Sequence, residues 1–212
     1  MPLSDYSLVS FDADETIFRK PVLYHAAHNL GLAEKWDRLD ELYELKRISL
    51  RERLESHYKL LQGMRPNNIL REVAEVEVMR NVRETVEKLR GSRLMVILLT
   101  DLPDFICAHL IDRFGFEGFV ASKMGQRDGV LVGGIEPLDD KALGLRKYVS
   151  WLNIPMSRCI HIGDGTNDIP VFRETRYSIA LNSKIEKVRT SASKSIESDD
   201  MLDVYRHLST LP

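Results

Sequence analysis

Three short apolar runs in this chain each stop at a polar group. Residues 6–11 (YSLVSF) stop at Asp12, residues 94–99 (LMVILL) at Thr100, and residues 158–162 (RCIHI) at Gly163-Asp164-Gly165. Runs this short, mostly apolar and partly β-branched or aromatic, read as buried strands, and the near-continuous run 94–99 as one covered on both faces. Segments of helical periodicity lie between them. Strands alternating with helices imply a parallel sheet flanked by helices on both sides. In such sheets ligands bind beyond the carboxyl ends of the strands. Asp12, Thr100 and Asp164 are therefore expected at one edge, although they are far apart in sequence.

The segment 19–77 departs from this alternation. Apolar residues recur at helical spacing through Val22, Leu23, Ala26, Ala27 and Leu30, then Trp36, Leu39, Leu42 and Leu45, then Leu50, Leu54, Tyr58 and Leu61. Gly31, Ser49 and the stretch 63–66 punctuate the runs, which predicts three or four short helices packed as a small bundle. Further helices are predicted over 81–89, 105–114 (closed by Gly115), 141–151, from 169 onward and over 200–208. Short strands are predicted over 119–121 and 178–181, with a hairpin or flap around 130–132 after Asp128-Gly129.

A length of 212 residues suits one α/β domain with one small insertion. The formal charge of -2 offers no basic face for DNA or RNA. No apolar run reaches the length of a membrane span, and the start MPLSDYSLVSFD lacks the regions of a signal peptide. Cys107 and Cys159 have no CxxC spacing and are expected as free buried thiols in a reducing cytoplasm.

Two of the polar clusters carry a pattern. Asp12-Ala13-Asp14-Glu15-Thr16 places two carboxylates two residues apart directly after a strand. Gly163-Asp164-Gly165-Thr166-Asn167-Asp168 follows another strand, with glycines that admit close backbone approach and acidic groups that suit a hard cation. Thr100 and Lys141 add a hydroxyl and an ammonium group. In order, strand context and spacing, these stretches resemble the four motifs of the haloacid dehalogenase superfamily of phosphohydrolases, DxDxT first and GDGxND last. The resemblance is nearest to the phosphoserine phosphatase branch, which inserts a helical cap between the first and second motifs.

That resemblance implies a Rossmann-like α/β core with a parallel sheet, formed by 1–17 and 79–212, and a helical-bundle cap of the C1 type over 18–78, hinged near 18–20 and 78–81. It implies Asp12 as the nucleophile that forms an aspartyl phosphate, Asp14 as general acid and then base, and Lys141 as the cation that offsets developing charge. Mg²⁺ is expected on the carboxylates of Asp12 and Asp164 and the backbone carbonyl of Asp14. Thr100 and Asn167 are expected to bind phosphate or substrate, and Asp168 to orient Lys141 or the water around the metal.

The substrate clamp of phosphoserine phosphatases is not matched. Pro21 falls at the offset of their cap glutamate and His57 at that of their cap arginine. Arg51, Arg53, His57 and Tyr58 are the candidates to line the inner face of the cap, the alternative being a charged helix face with Tyr58 in the bundle. Asp101-Leu102-Pro103 replaces the usual glycines after Thr100. His25 and His28 are expected as a packed or solvated pair, and His161 as a core residue or a support behind the site. The expected partner is a small phosphorylated metabolite, with no nucleic acid and no membrane, bound by a monomer or homodimer. Transfer of the phosphoryl group to another alcohol, a β-phosphoglucomutase-like activity and a non-catalytic binding role are the alternatives.

Overall fold

The computed structural model describes residues 2–212. Its main sheet has six strands: β1 (Leu8–Phe11), β2 (Met95–Pro103), β3 (Gly118–Ser122), β6 (Cys159–Gly163), β7 (Tyr177–Leu181) and β8 (Lys194–Ile196). A separate antiparallel hairpin pairs β4 (Gln126–Arg127) with β5 (Val130–Leu131). The order across the main sheet is β3-β2-β1-β6-β7-β8, and every pair is parallel. The chain winds outward from β1 to β2 and β3, then returns to the other side of β1 with β6. The reversal opens a crevice between the carboxyl ends of β1 and β6.

β1 is buried throughout, and its alternate side chains feed two cores. Val9 and Phe11 join Val96, Leu98, Ile160 and Ile162 beneath helices α5 (Val82–Gly91), α6 (Asp104–Phe114) and α10 (Leu202–Ser209). Leu8 joins Ile97, Leu99, Leu145 and Val149 beneath α7 (Lys141–Trp151), with Val171 from α8 (Ile169–Glu174). The sheet is thus covered on both faces, which is why its strands carry continuous rather than alternating apolar sequence.

Four helices leave the sheet between β1 and β2: α1 (Val22–Asn29), α2 (Ala33–Glu44), α3 (Leu50–Leu60) and α4 (Pro66–Glu75). Ser49 starts α3 with a reciprocal cap, since its side chain accepts from the Glu52 N–H and the Glu52 carboxylate accepts from the Ser49 N–H. The two chain segments that join these helices to the sheet run side by side. Arg19 N–H donates to Glu77 O at 2.8 Å, and Met79 N–H to Ile17 O at 2.8 Å. The helices also touch the hairpin, because Gly63 N–H donates to Leu131 O and Leu131 N–H to Met64 O, each at 2.8 Å.

Two features differ from the sequence reading. β2 does not stop at Thr100 but continues to Pro103, through an irregular register that resumes where Pro103 pairs with Ser122. The Asp101 carbonyl is held there by the Tyr58 and Ser122 hydroxyls, which fixes the extension. Helix α9 (Glu186–Ser191) and strand β8 lie in a polar stretch with no apolar period to announce them. Cys107 and Cys159 are both buried and free. Among the described residues no helix is long and apolar enough to cross a membrane.

Candidate active site

Strand ends and helix starts bring charged groups to the crevice. Asp12 follows β1 directly, and its N–H still donates to Ile162 O on β6 at 2.9 Å. That bond brings it alongside the turn that carries Asp164. Lys141 opens α7, whose start is fixed by the Asp140 side chain accepting from Leu143 N–H at 2.8 Å. Its ammonium group lies 2.8 Å from Asp12 Oδ2 and 2.7 Å from Asp168 Oδ1. Burial alone would lower the pKa of this lysine, but the two carboxylates outweigh it and hold the group well above its ordinary value, so it stays charged.

Asp168 is fully committed. Oδ1 accepts from Lys141 and sits 3.0 Å from His161 Nε2, and Oδ2 accepts from the N–H groups of Asp164 (3.1 Å) and Gly165 (3.0 Å). Burial works to raise its pKa, yet Lys141 and His161 together pull it well below the usual carboxylate range. His161 is anchored in turn by Ser10, 2.9 Å from Nδ1 to the hydroxyl. Gly163 is required by this packing, since a Cβ there would stand 2.4 Å from the Asp168 carboxylate.

The oxygen atoms of Asp12, Asp164 and Asp168 come within 4.8 Å of one another. The Asp168 carboxylate makes four polar contacts. That of Asp12 makes two, to Ala13 N–H through Oδ1 and to Lys141 through Oδ2, and that of Asp164 one, to Thr16. Asp12 and Asp164 are therefore the carboxylates with lone pairs left for a cation. Burial, then repulsion from neighbouring carboxylates, pushes Asp164 up to about 7 and raises Asp12, although Lys141 opposes both. Anionic oxygens crowded at the mouth of a sheet are the donor set of a hard divalent ion such as Mg²⁺. Thr16 donates to Asp164 Oδ1 at 3.0 Å and orients it.

Asp14 lies two residues beyond Asp12. Its Oδ1 accepts from Val22 N–H at 2.8 Å, which ties it to the first turn of α1. Burial, partly offset by that bond, pushes its carboxyl up to about 8. Thr100 is buried within the adjacent strand β2, where its hydroxyl accepts from Leu102 N–H at 3.3 Å. Asn167 is half-buried in the turn before α8, with its amide oxygen against Gly165.

Above Asp14 a cavity of about 140 Å³ opens under α2 and α3. Arg53 and His57 reach it, together with Trp36, Asp40, Tyr58 and Asp101. Arg51 does not. It is exposed and pairs with Glu55 (3.1 Å) and Asp139 (3.6 Å) outside the cavity. Residues 53 and 57 are four apart and share a helical face, whereas 51 and 53 are two apart and point in different directions. His25 and His28 stay away from the crevice, with His28 Nε2 3.0 Å from Asp37 Oδ1 and His25 Nε2 3.2 Å from the Asn29 amide. Trp36 and Asp40 were not singled out from the sequence as site residues. They belong to a different helix from Arg53, and no local pattern signals that α2 and α3 share a cavity.

Residues 9–173 match the sequence profile of haloacid dehalogenase-like hydrolases. The chain is 21% identical over 205 residues to phosphoserine phosphatase of Methanocaldococcus jannaschii, covering 95% of this chain and 97% of that protein. It is 27% identical over 219 residues to phosphoserine phosphatase of Albidiferax ferrireducens, covering 96% and 91%. A solved structure of a phospho-aspartyl intermediate analogue of phosphoserine phosphatase superposes with a TM-score of 0.79 at 20% identity, over 95% of this chain and 98% of that one. A parallel sheet with this order, its carboxyl edge carrying Asp12, Lys141 and Asp164, and a matched span of well over half its length place the chain in the haloacid dehalogenase-like hydrolase family.

Proposed function

We propose that the chain hydrolyses a small-molecule phosphomonoester through an aspartyl phosphate on Asp12. The observation that carries this reading is the Lys141 ammonium, buried and shared between Asp12 at 2.8 Å and Asp168 at 2.7 Å, beside the carboxylate of Asp164. A carboxylate is a weak nucleophile, and this arrangement supplies what it needs: a fixed position and a neighbouring positive charge.

In the first step an Asp12 oxygen forms a bond to phosphorus as the bond from phosphorus to the leaving alcohol breaks. Asp14 gives its proton to that alcohol oxygen. A carboxyl held near 8 by burial carries that proton at neutral pH. In the second step Asp14, now a carboxylate, takes a proton from water as the water oxygen bonds to phosphorus, and Asp12 is released with inorganic phosphate. Lys141 offsets charge on Asp12 and the phosphoryl oxygens throughout. Thr100 and Asn167 donate to the phosphoryl group or substrate, and Asp168 keeps Lys141 in place. The side chains of Asp12 and Asp164 with the backbone carbonyl of Asp14 would hold Mg²⁺. When bound, the ion would lower the repulsion between nucleophile and phosphate.

The helices within 18–78 act as a cap over a core of 1–17 and 79–212. The segments at 17–19 and 77–79, paired by two backbone hydrogen bonds, would serve as its hinge. Two free buried thiols fit a reducing compartment such as the cytoplasm. The test is phosphate release from a panel of phosphomonoesters with Mg²⁺, for the wild type and for Asp12→Asn. Turnover is expected in the wild type and loss of it in the variant, because an amide cannot form the acyl phosphate. Undiminished turnover by the variant would remove Asp12 as nucleophile.

A further inference from the structure

The cavity above Asp14 has a charge balance that bears on the leaving group. Its volume of about 140 Å³ equals roughly five water molecules at ~30 Å³ each in the liquid. Arg53 is the one lysine or arginine on its wall, and that charge is already met. Arg53 Nε donates to Asp40 Oδ1 at 2.6 Å, and the guanidinium lies over the Tyr43 ring at 5.0 Å.

His57 adds no charge. Its ring is 2% exposed and stacks on Trp36 at 3.8 Å with 6° between the planes. Burial, only partly opposed by Asp40, pushes its pKa down to about 4, so the imidazole is neutral at pH 7. Nε2 lies 3.4 Å from Asp40 Oδ1 without forming a hydrogen bond, which leaves a polar atom without a partner on the cavity wall. Asp101 also faces the cavity. Its backbone carbonyl is taken by Tyr58 and Ser122, but among the described residues no other side chain donates to its carboxylate. With Arg53 and Asp40 matched to each other, the carboxyl groups left on the wall are Asp14, assigned above as the proton donor, and Asp101, beside aromatic rings and no unpaired lysine or arginine.

A leaving group bearing a carboxylate would set a second anion against Asp101. One bearing an ammonium meets Asp101 in a charge-assisted hydrogen bond, His57 Nε2 as an acceptor in the Nδ1–H tautomer, and the rings of Trp36 and Tyr24. We propose that this cavity selects phosphomonoesters of small amino alcohols that lack a carboxylate, with Asp101 as the counter-charge for the ammonium. The proposal rests on the phosphatase reading and narrows its substrate class.

The test compares kcat/KM for O-phosphoethanolamine, O-phosphoserine and glycerol 2-phosphate with Mg²⁺, in the wild type and in Asp101→Asn. O-phosphoethanolamine is expected to exceed O-phosphoserine by about tenfold or more in the wild type. Asp101→Asn is expected to cut the ratio of O-phosphoethanolamine to glycerol 2-phosphate by about 10- to 100-fold. A ratio taken within one preparation does not change with the fraction of folded protein. A preference for O-phosphoserine in the wild type, or an unchanged ratio in the variant, overturns the amino-alcohol assignment and leaves the phosphatase reading standing. If the wild type releases no more phosphate than Asp12→Asn from these esters and from 4-nitrophenyl phosphate, both fall.

Discussion

Lys141 holds two carboxylates at once, and its side chain is 1% exposed. Replacing it with an apolar side chain leaves Asp12 and Asp168 buried without their cation. Breaking a buried ion pair in this way costs about 3–5 kcal/mol, and removing one group that stabilises a phosphoryl-transfer transition state costs about 10²–10³ in kcat. Lys141→Met is therefore expected to lose both stability in urea and turnover at saturating Mg²⁺. Wild-type kcat in that variant would contradict its role. His57 makes a separate prediction about pH. Its folded pKa lies near 4, below the ordinary 6.5. Between those values the unfolded chain takes up a proton that the folded chain refuses, so stability falls as pH drops through that window. From pH 7 to 5 the His57 contribution declines by roughly 1–2 kcal/mol. Urea unfolding of His57→Gln is expected to show a shallower decline than the wild type over that range, and equal slopes would refute the assignment.

At the scale of elements, α3 meets the end of β2 through Tyr58. Its buried hydroxyl reaches the Asp101 carbonyl and lies 3.2 Å from Ser122 Oγ. The contact joins the helical insertion to the strand that carries Thr100 and Asp101. Tyr58→Phe leaves that carbonyl to Ser122 alone, with an expected loss of about 0.5–1.5 kcal/mol. KM should rise more than kcat falls, because the cavity wall loosens while Asp12 and Lys141 are untouched. A fall in kcat at constant KM would contradict this. The same region shows where sequence periodicity succeeds and fails. Apolar spacing located the first three inserted helices, since each must bury a stripe, and left the fourth, α4, open. It did not separate Arg51 from Arg53, because the face presented to the cavity depends on how α3 packs on α2. The continuation of β2 past Thr100 was hidden for a similar reason: a partner in another helix holds it.

For the whole molecule, the crevice exists because the chain reverses its direction of winding at β1, so that β1 and β6 are neighbours though some 150 residues apart. The convergence of Asp12 and Asp164 at one edge was legible in the sequence, as each follows an apolar run that reads as a buried strand. Lys141 at the first position of α7 was legible as well. The contacts that hold these groups were less so. His161 stands inside a strand and could be placed only near the site, while its bond to Asp168 and its anchor on Ser10 depend on three-dimensional register. The central claim is that phosphorus passes through a covalent bond to Asp12. Acid-quenching a single turnover of a ³²P-labelled phosphomonoester, followed by peptide mapping, tests it most directly. Label is expected on the peptide containing Asp12 and absent from Asp12→Asn; phosphate release with no labelled peptide, or label on another residue, would contradict it.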